Sequence, residues 1–317
     1  MEIIATAGAS VKDDSLEALV KQGLNIDVDY FRFNLGKYDS TEGTWLRVNE
    51  ILSMKKKYGI RLMIDIPYPF RKPRIFINND RNLIEADIGD SFDISYSRND
   101  AVYTDSEDIQ ALCVGDLISD SDGEEVLCVK EKKENCLVVE AIKECCIFDK
   151  KGICFGTLLS SQERRGLYRD IVNYLCPTSV ALSFVSDGVD VCAFKKQLKA
   201  DCEVISKIES CSGIENLLSI SAESDLMVAR GDLMIYADYM QLSENQGKIV
   251  AASVNAKRKV YIATGILNSL YKHSIPTQAE MVDISTIVGL NPYGIILNGS
   301  VVRNNFEKAV EIVRRLL

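Results

Sequence analysis

Residues 179–208 read SVALSFVSDGVDVCAFKKQLKADCEVISKI. An apolar, β-rich run over 179–185 passes through Ser-Asp-Gly into a helix-like stretch over 188–199, and a second β-rich run follows at 203–208. A strand, a helix and a strand in that order form a βαβ unit, whose strands lie parallel because only a crossover can join them. The same rhythm continues on both sides. Further strands are expected near 3–7, 29–34, 61–66, 225–229, 259–264 and 293–298, with helices at 13–22, 42–57, 161–175, 241–256, 277–289 and 304–317. In the last of these, Phe306, Ala309, Val310, Ile312, Val313 and Leu316 fall at helical spacing. Eight strands alternating with helices predict an α/β fold of the (β/α)8 TIM barrel type, since eight parallel strands close a barrel.

One interval breaks the rhythm. Residues 68–156 follow the third strand without a long amphipathic helix, open on Pro67-Tyr68-Pro69 and close between Gly152 and Gly156. Alternating runs such as VLCVKEKKENCLVVEAI (126–142) are split by charged turn residues. This predicts a small all-β domain inserted after strand 3, so that 1–67 and 157–317 make the barrel and 68–156 the insert.

Composition narrows the function. The 317 residues are 47% hydrophobic and 26% charged, with a net charge of −9. That supports a globular core and opposes binding to a nucleic-acid backbone, which depends on Lys and Arg. The ten cysteines show no paired metal-ligand spacing. Buried thiols in a reducing cytoplasm are expected. A single histidine, His273, excludes histidine metal clusters and a Ser-His-Asp triad. The start of the chain lacks the basic and apolar regions of a signal peptide, and no apolar run reaches the roughly 20 residues that span a bilayer.

Active sites of such barrels lie where strands end. Strand one ends in Thr6-Ala7-Gly8-Ala9-Ser10; strand two carries Arg32 and Asn34 on one face; strand three has Asp65; strand four has Ser183. Strand five carries Lys207 and Glu209 on one face, strand six ends at Arg230-Gly231-Asp232, strand seven at Thr264 and strand eight at Asn298. Taken singly, a Lys-Ile-Glu strand is usually a solvated face, and a threonine at a strand end often caps a helix. Together they place a cation, carboxylates, an arginine and hydroxyls at one mouth. Glu209 and Asp232 suit a hard divalent ion. Lys207 suits a transferring phosphoryl group or an enolate, and Arg32 suits phosphate oxygens. Gly231 and Asp232 offer backbone N–H groups to a carboxylate or phosphate.

These residues sit in stretches that resemble pyruvate kinase: ATAGAS (5–10), FRFNLG (31–36), VISKIES (204–210), SDLMVARGDL (224–233), YIATGILNSL (261–270) and PTQAEMVDIST (276–286). In the insert, VGDLISDSDGEEVLCV (114–129) and DKKGICFG (149–156) do so as well. The resemblance runs in order over nearly the whole chain, and the VARGD and PTxAE segments are its most specific parts. It implies that Glu209 and Asp232 hold Mg²⁺ or Mn²⁺, and that Lys207 meets the transferred phosphoryl group. It also implies that Thr264 lies near the methyl carbon of pyruvate, with Gly231, Asp232 and Ser183 at the substrate and Arg32 at phosphate. Asn34 and Asp65 match monovalent-cation ligands; Asp122, Lys151 and Lys72 match nucleotide-facing positions.

Departures from the family pattern fall in two places. Gly36 and Phe70 stand where the family has a serine and an acid, which leaves a K⁺ site incomplete. Ile66-Pro67, Lys72 beside Arg71, Ser186, Gly265 and Lys37 replace family residues, several of them on the nucleotide side. The sequence given ends after the eighth helix, so the family's C-terminal domain, with its effector sites and part of its tetramer interface, is expected to be missing. The function implied is transfer between phosphoenolpyruvate plus ADP and pyruvate plus ATP in glycolysis. Two alternatives stand beside it. One is a diverged metal-dependent 2-oxo-acid or enolate enzyme with another donor or no nucleotide. The other is an inactive paralogue that acts as a binding protein. Expected partners are small molecules, with no nucleic acid or membrane, and a homo-oligomer formed through the barrel.

Overall fold

The computed structural model describes residues 1–7, 16–37, 41–98, 100–120, 125–149 and 151–317. Gly8, Ala9, Ser10, Asp122 and the first residues of the helix expected at 13–22 lie outside the described residues.

Eight parallel strands close a barrel: β1 (Glu2–Ala7), β2 (Tyr30–Asn34), β3 (Leu62–Arg71), β4 (Ser179–Ser183), β5 (Glu203–Ile208), β6 (Asp225–Ala229), β7 (Val260–Ala263) and β8 (Gly294–Leu297). Each pairs with the next, and β8 pairs with β1, where Ile4 lies opposite Ile296. The side-chain period of two then decides the interior. Ile4, Tyr30, Met63, Ala181, Ile205, Met227, Tyr261 and Ile296 form one inward cluster, with none above 1% exposure. Their neighbours Ile3, Phe31, Leu62, Val180, Val204, Leu226, Ile262 and Ile295 point outward into the apolar layer under the helices. Two residues beyond the inward cluster come Thr6, Arg32, Asp65, Ser183 and Lys207. The pleat turns all five into the mouth at the carboxyl ends of the strands.

The opposite mouth is closed by ion pairs and rings. Arg61 pairs with Glu2 at 2.8 Å and stacks 3.7 Å over the Tyr30 ring. Lys259 pairs with Glu203 and stands 4.5 Å over the Tyr293 ring.

The helices are α1 (Leu16–Asn25), α2 (Thr41–Tyr58), α3 (Arg165–Leu175), α4 (Gly188–Lys195), α5 (Cys211–Glu215), α6 (Leu217–Glu223), α7 (Arg230–Tyr236), α8 (Leu242–Asn255), α9 (Gln278–Gly289) and α10 (Gly299–Leu316). Asp187 caps α4 by accepting from the Val189 N–H at 2.7 Å, and Thr277 with Glu280 forms a reciprocal capping box on α9. Helices α5, α6 and α7 were not expected. The first two are short, rich in serine and meet at Asn216, so neither builds a periodic apolar face. Helix α10 begins at Gly299 rather than 304, buries Val301 and Val302 in its first part and kinks at Asn305 (φ −144°, ψ 48°).

A second compact unit comprises residues 70–160 with 234–236. It holds a seven-stranded sheet in the order Ile153–Cys154, Leu117–Asp120, Glu125–Lys132, Cys136–Ala141, Ser91–Ser95, Val102–Thr104, Ile75–Ile77. A two-stranded sheet joins Cys145–Phe148 to Leu83–Ala86. Alternation in 126–141 puts Leu127, Val129, Leu137 and Val139 into this unit's own core, all fully buried.

The ten cysteines are free thiols, as expected, but only Cys154 is buried; Cys113, Cys146, Cys176 and Cys211 are exposed. Apolar neighbours misled here: Cys146 is exposed although it lies within the strand Cys145–Phe148, and others sit at caps and turns. Cys176, for instance, ends α3 in a left-handed conformation. Among the described residues no helix is long and apolar enough to cross a membrane.

Candidate active site

The centre of the mouth is Lys207. Its side chain is 10% exposed, and its Nζ lies 3.0 Å from Glu209 Oε1 and 3.4 Å from Asp65. It also donates to Ser183 Oγ at 3.1 Å. Burial alone would lower its pKa, but the Asp65 and Glu209 carboxylates outweigh burial and hold it above the ordinary lysine range. Lys207 is therefore a fixed cation.

Asp65, 1% exposed, sits between two cations. Arg32 donates to its Oδ2 from Nη2 at 2.6 Å and from Nε at 3.0 Å, while Nη1 donates to Thr6 Oγ1 at 2.9 Å. Burial would raise the Asp65 pKa, yet Lys207 and then Arg32 keep it below the usual carboxylate value. Asn34 turns its Oδ1 onto the Gly36 N–H at 2.8 Å. Both residues matched to a monovalent cation thus have their oxygens engaged by protein donors.

Glu209, also 1% exposed, is held differently. Its Oε2 accepts the Phe184 N–H at 2.6 Å, an amide aimed by a left-handed backbone at Phe184 (φ 51°). Its Oε1 faces Lys207 closely as a charge but off the hydrogen-bond axis, and accepts no aligned donor. Burial and the nearby Asp232 charge outweigh Lys207, so the carboxyl is pushed up to about 7 from 4.5. With all three carboxylates ionised, Asp65, Glu209 and Asp232 against Arg32 and Lys207 would leave one negative charge uncompensated, which fits an added cation that displaces the Glu209 proton. Among the described residues no three His, Cys, Asp or Glu side chains converge as a metal cage. The protein's share of such a site would be two carboxylates, with the remaining positions open to substrate and water.

The ends of β6 and β7 meet across a close contact. Gly231 is the second residue of α7, and a Cβ there would lie 2.7 Å from Thr264 Cγ2. Thr264 and Gly265 are both left-handed (φ 71° and 74°). Arg230 donates from Nε to the Thr264 carbonyl at 2.9 Å and from Nη1 and Nη2 to the two Asp283 oxygens at 2.7 and 3.0 Å.

The barrel thus gathers Arg32, Asp65, Ser183, Lys207 and Glu209 into one bonded group, with Asp232 near enough for its charge to act on Lys207 and Glu209. Thr264 stands against Gly231. Lys72 and Lys151 belong to the second unit, where the Lys72 carbonyl accepts from Arg71 at 3.2 Å and the Lys151 carbonyl from the Ile75 N–H at 3.0 Å. Arg71 itself pairs with Asp105 at 2.7 Å. Sequence reasoning missed the roles of the Phe184 amide and of Asp283. Backbone conformation at Phe184 leaves no sequence signal, whereas Asp283 lies inside the PTQAEMVDIST segment that had already drawn notice.

Comparison with known proteins gives the same direction throughout. A pyruvate kinase barrel domain matches residues 1–308. The chain is similar to chloroplastic pyruvate kinase isozyme G of Nicotiana tabacum, at 28% identity over 98% of this chain and 57% of that protein. It is similar to the pyruvate kinase of Thermotoga maritima at 27% identity over 99% of this chain and 72% of that protein. Its likeness to the pyruvate kinase of Methanocaldococcus jannaschii reaches 39% identity over 34% of this chain. The chain spans a little over half the length of the Nicotiana relative.

Proposed function

We infer the function from one premise, that this chain belongs to the pyruvate kinase family: it moves a phosphoryl group between phosphoenolpyruvate and ADP, giving pyruvate and ATP. One observation carries the inference. Lys207 is a buried lysine fixed between Asp65, Ser183 and Glu209 at the barrel mouth, and folding alone has no use for it there.

In this reading Lys207 Nζ meets the phosphoryl group in transit and then the enolate oxygen left behind. Glu209 and Asp232 hold a divalent ion, Mg²⁺ or Mn²⁺. When bound, such an ion polarises the 2-oxo group and offsets phosphate charge. The N–H groups of Gly231 and Asp232 receive the substrate carboxylate. Thr264 Oγ1 faces the carbon that gains a proton as enolpyruvate becomes pyruvate. Arg32 steadies phosphate oxygens, and Ser183 keeps Lys207 on its axis. Lys72, Lys151 and Asp122 are the proposed nucleotide-side residues.

A divalent ion can bind the Glu209 carboxylate only after its proton leaves. The sign follows from the raised pKa. In the metal-free protein, the stability Glu209 contributes is fully present below 4.5 and is lost as pH rises through about 7. Titrating Mn²⁺ at pH 6 in two buffers of different ionisation heat is expected to release about 0.9 proton per ion, falling to about 0.1 at pH 8. An absence of proton release at pH 6 would remove Glu209 from the metal site.

A second reading is enolate chemistry without a nucleotide. It is favoured by the bonding of Arg32, whose Nε, Nη1 and Nη2 all donate within the barrel, so that only two of its five N–H groups are left for phosphate. The experiment that separates the two follows proton exchange at the pyruvate methyl group in D₂O with Mg²⁺, beside a lactate-dehydrogenase-coupled assay with phosphoenolpyruvate and ADP. Turnover with ADP supports the kinase. Exchange without turnover supports the second reading, and silence in both rejects each of them.

A further inference from the structure

Thr264 occupies a conformation it would not choose. A β-branched residue at φ 71°, followed by Gly265 at φ 74°, is strained backbone of the kind that persists only where surroundings impose it. One side chain in those surroundings bonds directly to the turn. Arg230, 11% exposed, directs Nε at the Thr264 carbonyl and places its other two nitrogens on both oxygens of Asp283. This fork-on-fork geometry fixes the guanidinium plane. A Cβ at Gly265 would come 3.4 Å from Arg230 Nη2, so the guanidinium lies against the turn as well as bonding to it. Arg230 also directly precedes Gly231, the residue pressed against Thr264 Cγ2.

We propose that the Arg230–Asp283 pair is a positioning clamp that locks the ends of β6 and β7 together and sets the aim of the Thr264 hydroxyl. The proposal deepens the function given above and rests on it for the role of Thr264. Arg230 stands at the mouth with each of its three nitrogens donating within the protein, which turns the guanidinium toward the Thr264 turn and Asp283. Asp283 is the anchor: it ties the guanidinium to α9, whose own start is fixed by the Thr277–Glu280 capping box and by the Ser269 N–H donating to Glu280 at 2.7 Å. Only an arginine satisfies the arrangement, since a lysine offers one nitrogen where three acceptor atoms are met in one plane.

The test uses the full chain and three variants. Asp283→Asn halves the anchor at a site 35% exposed, where the protein is expected to stay folded; Arg230→Lys keeps the charge and loses the fork. Val282→Ala, at a 64% exposed position next to the anchor, is the control. Each is measured by kcat and KM for phosphoenolpyruvate with ADP, by pyruvate methyl exchange in D₂O, and by the ¹³C-methyl resonance of Thr264 in threonine-labelled protein. Asp283→Asn and Arg230→Lys are expected to lower kcat and exchange about tenfold or more with KM within about twofold, as for a reacting group displaced by a fraction of an ångström. Both should shift the Thr264 methyl resonance, and Val282→Ala should do none of this. An unmoved Thr264 methyl, or an unchanged kcat beside a lowered Tm, overturns the clamp and leaves an ordinary structural ion pair. If the parent chain is silent in both activity assays, the function falls while the methyl resonance alone decides the clamp.

Discussion

Replacing Lys207 by methionine is expected to lower kcat for phosphoryl transfer about a thousandfold or more, the scale on which a fixed cation at a transferring phosphoryl group acts. The variant will also be less stable. Lys207 lies between Asp65 and Glu209 with all three side chains at 10% exposure or less. Removing it leaves two buried carboxylates facing a methyl group, and breaking a buried pair in this way costs about 3–5 kcal/mol. Part of that cost is relieved, because burial and Asp232 already push the Glu209 carboxyl up to about 7, and without Lys207 it is expected to take up a proton. Lost stability and lost chemistry must therefore be separated. The double variant Lys207→Met with Glu209→Gln removes one cation and one carboxylate together, so its Tm should recover relative to Lys207→Met. Its kcat should not. If Lys207→Met keeps kcat within about tenfold of the parent, or if activity returns along with Tm in the double variant, Lys207 serves only to neutralise its neighbours.

The positions of these groups were legible because a barrel strand leaves little freedom. Once Ile205 is inside, Lys207 and Glu209 must be inside too, and the same holds from Tyr30 to Arg32 and from Met63 to Asp65. Strand alternation therefore placed the mouth residues to within a residue or two. What they do to one another was not legible. Asn34 and Asp65 matched cation ligands by position, yet the oxygens of Asp65 are taken by Arg32 and Lys207 and that of Asn34 by its own turn. Pairings of this kind depend on which of several long side chains reaches across the mouth, and sequence spacing carries no information on that. Left-handed backbone at Phe184 and Thr264 was hidden for a different reason. Neither residue type favours it, so propensity pointed away from the two places where strain aims a functional group.

Gly231→Ala is expected to give a folded protein whose kcat falls about a hundredfold. The added Cβ would lie 2.7 Å from Thr264 Cγ2, 3.6 Å from its Cβ and 3.8 Å from its Oγ1. Contacts of 2.7 Å do not persist, so one side must move. Thr264 cannot simply swing away: its left-handed backbone is bonded through its carbonyl to Arg230. The alternative is a shift of Gly231 and Asp232, which would carry the proposed carboxylate and metal groups with it. Either way a group proposed to act on the substrate is displaced, and about 1 Å of misplacement costs roughly a hundredfold in rate. Stability should move little, since alanine suits a helix better than glycine by up to about 1 kcal/mol and offsets part of the crowding in the first turn of α7. The offending atom can also be taken out from the other side. Thr264→Ser keeps the hydroxyl and deletes Cγ2, so adding it to Gly231→Ala should restore most of the lost kcat, whereas a glycine needed only for its backbone freedom would show no such rescue. An unimpaired Gly231→Ala, or a double variant as slow as the single one, would mean that the contact between Gly231 and Thr264 does not set the geometry of the site.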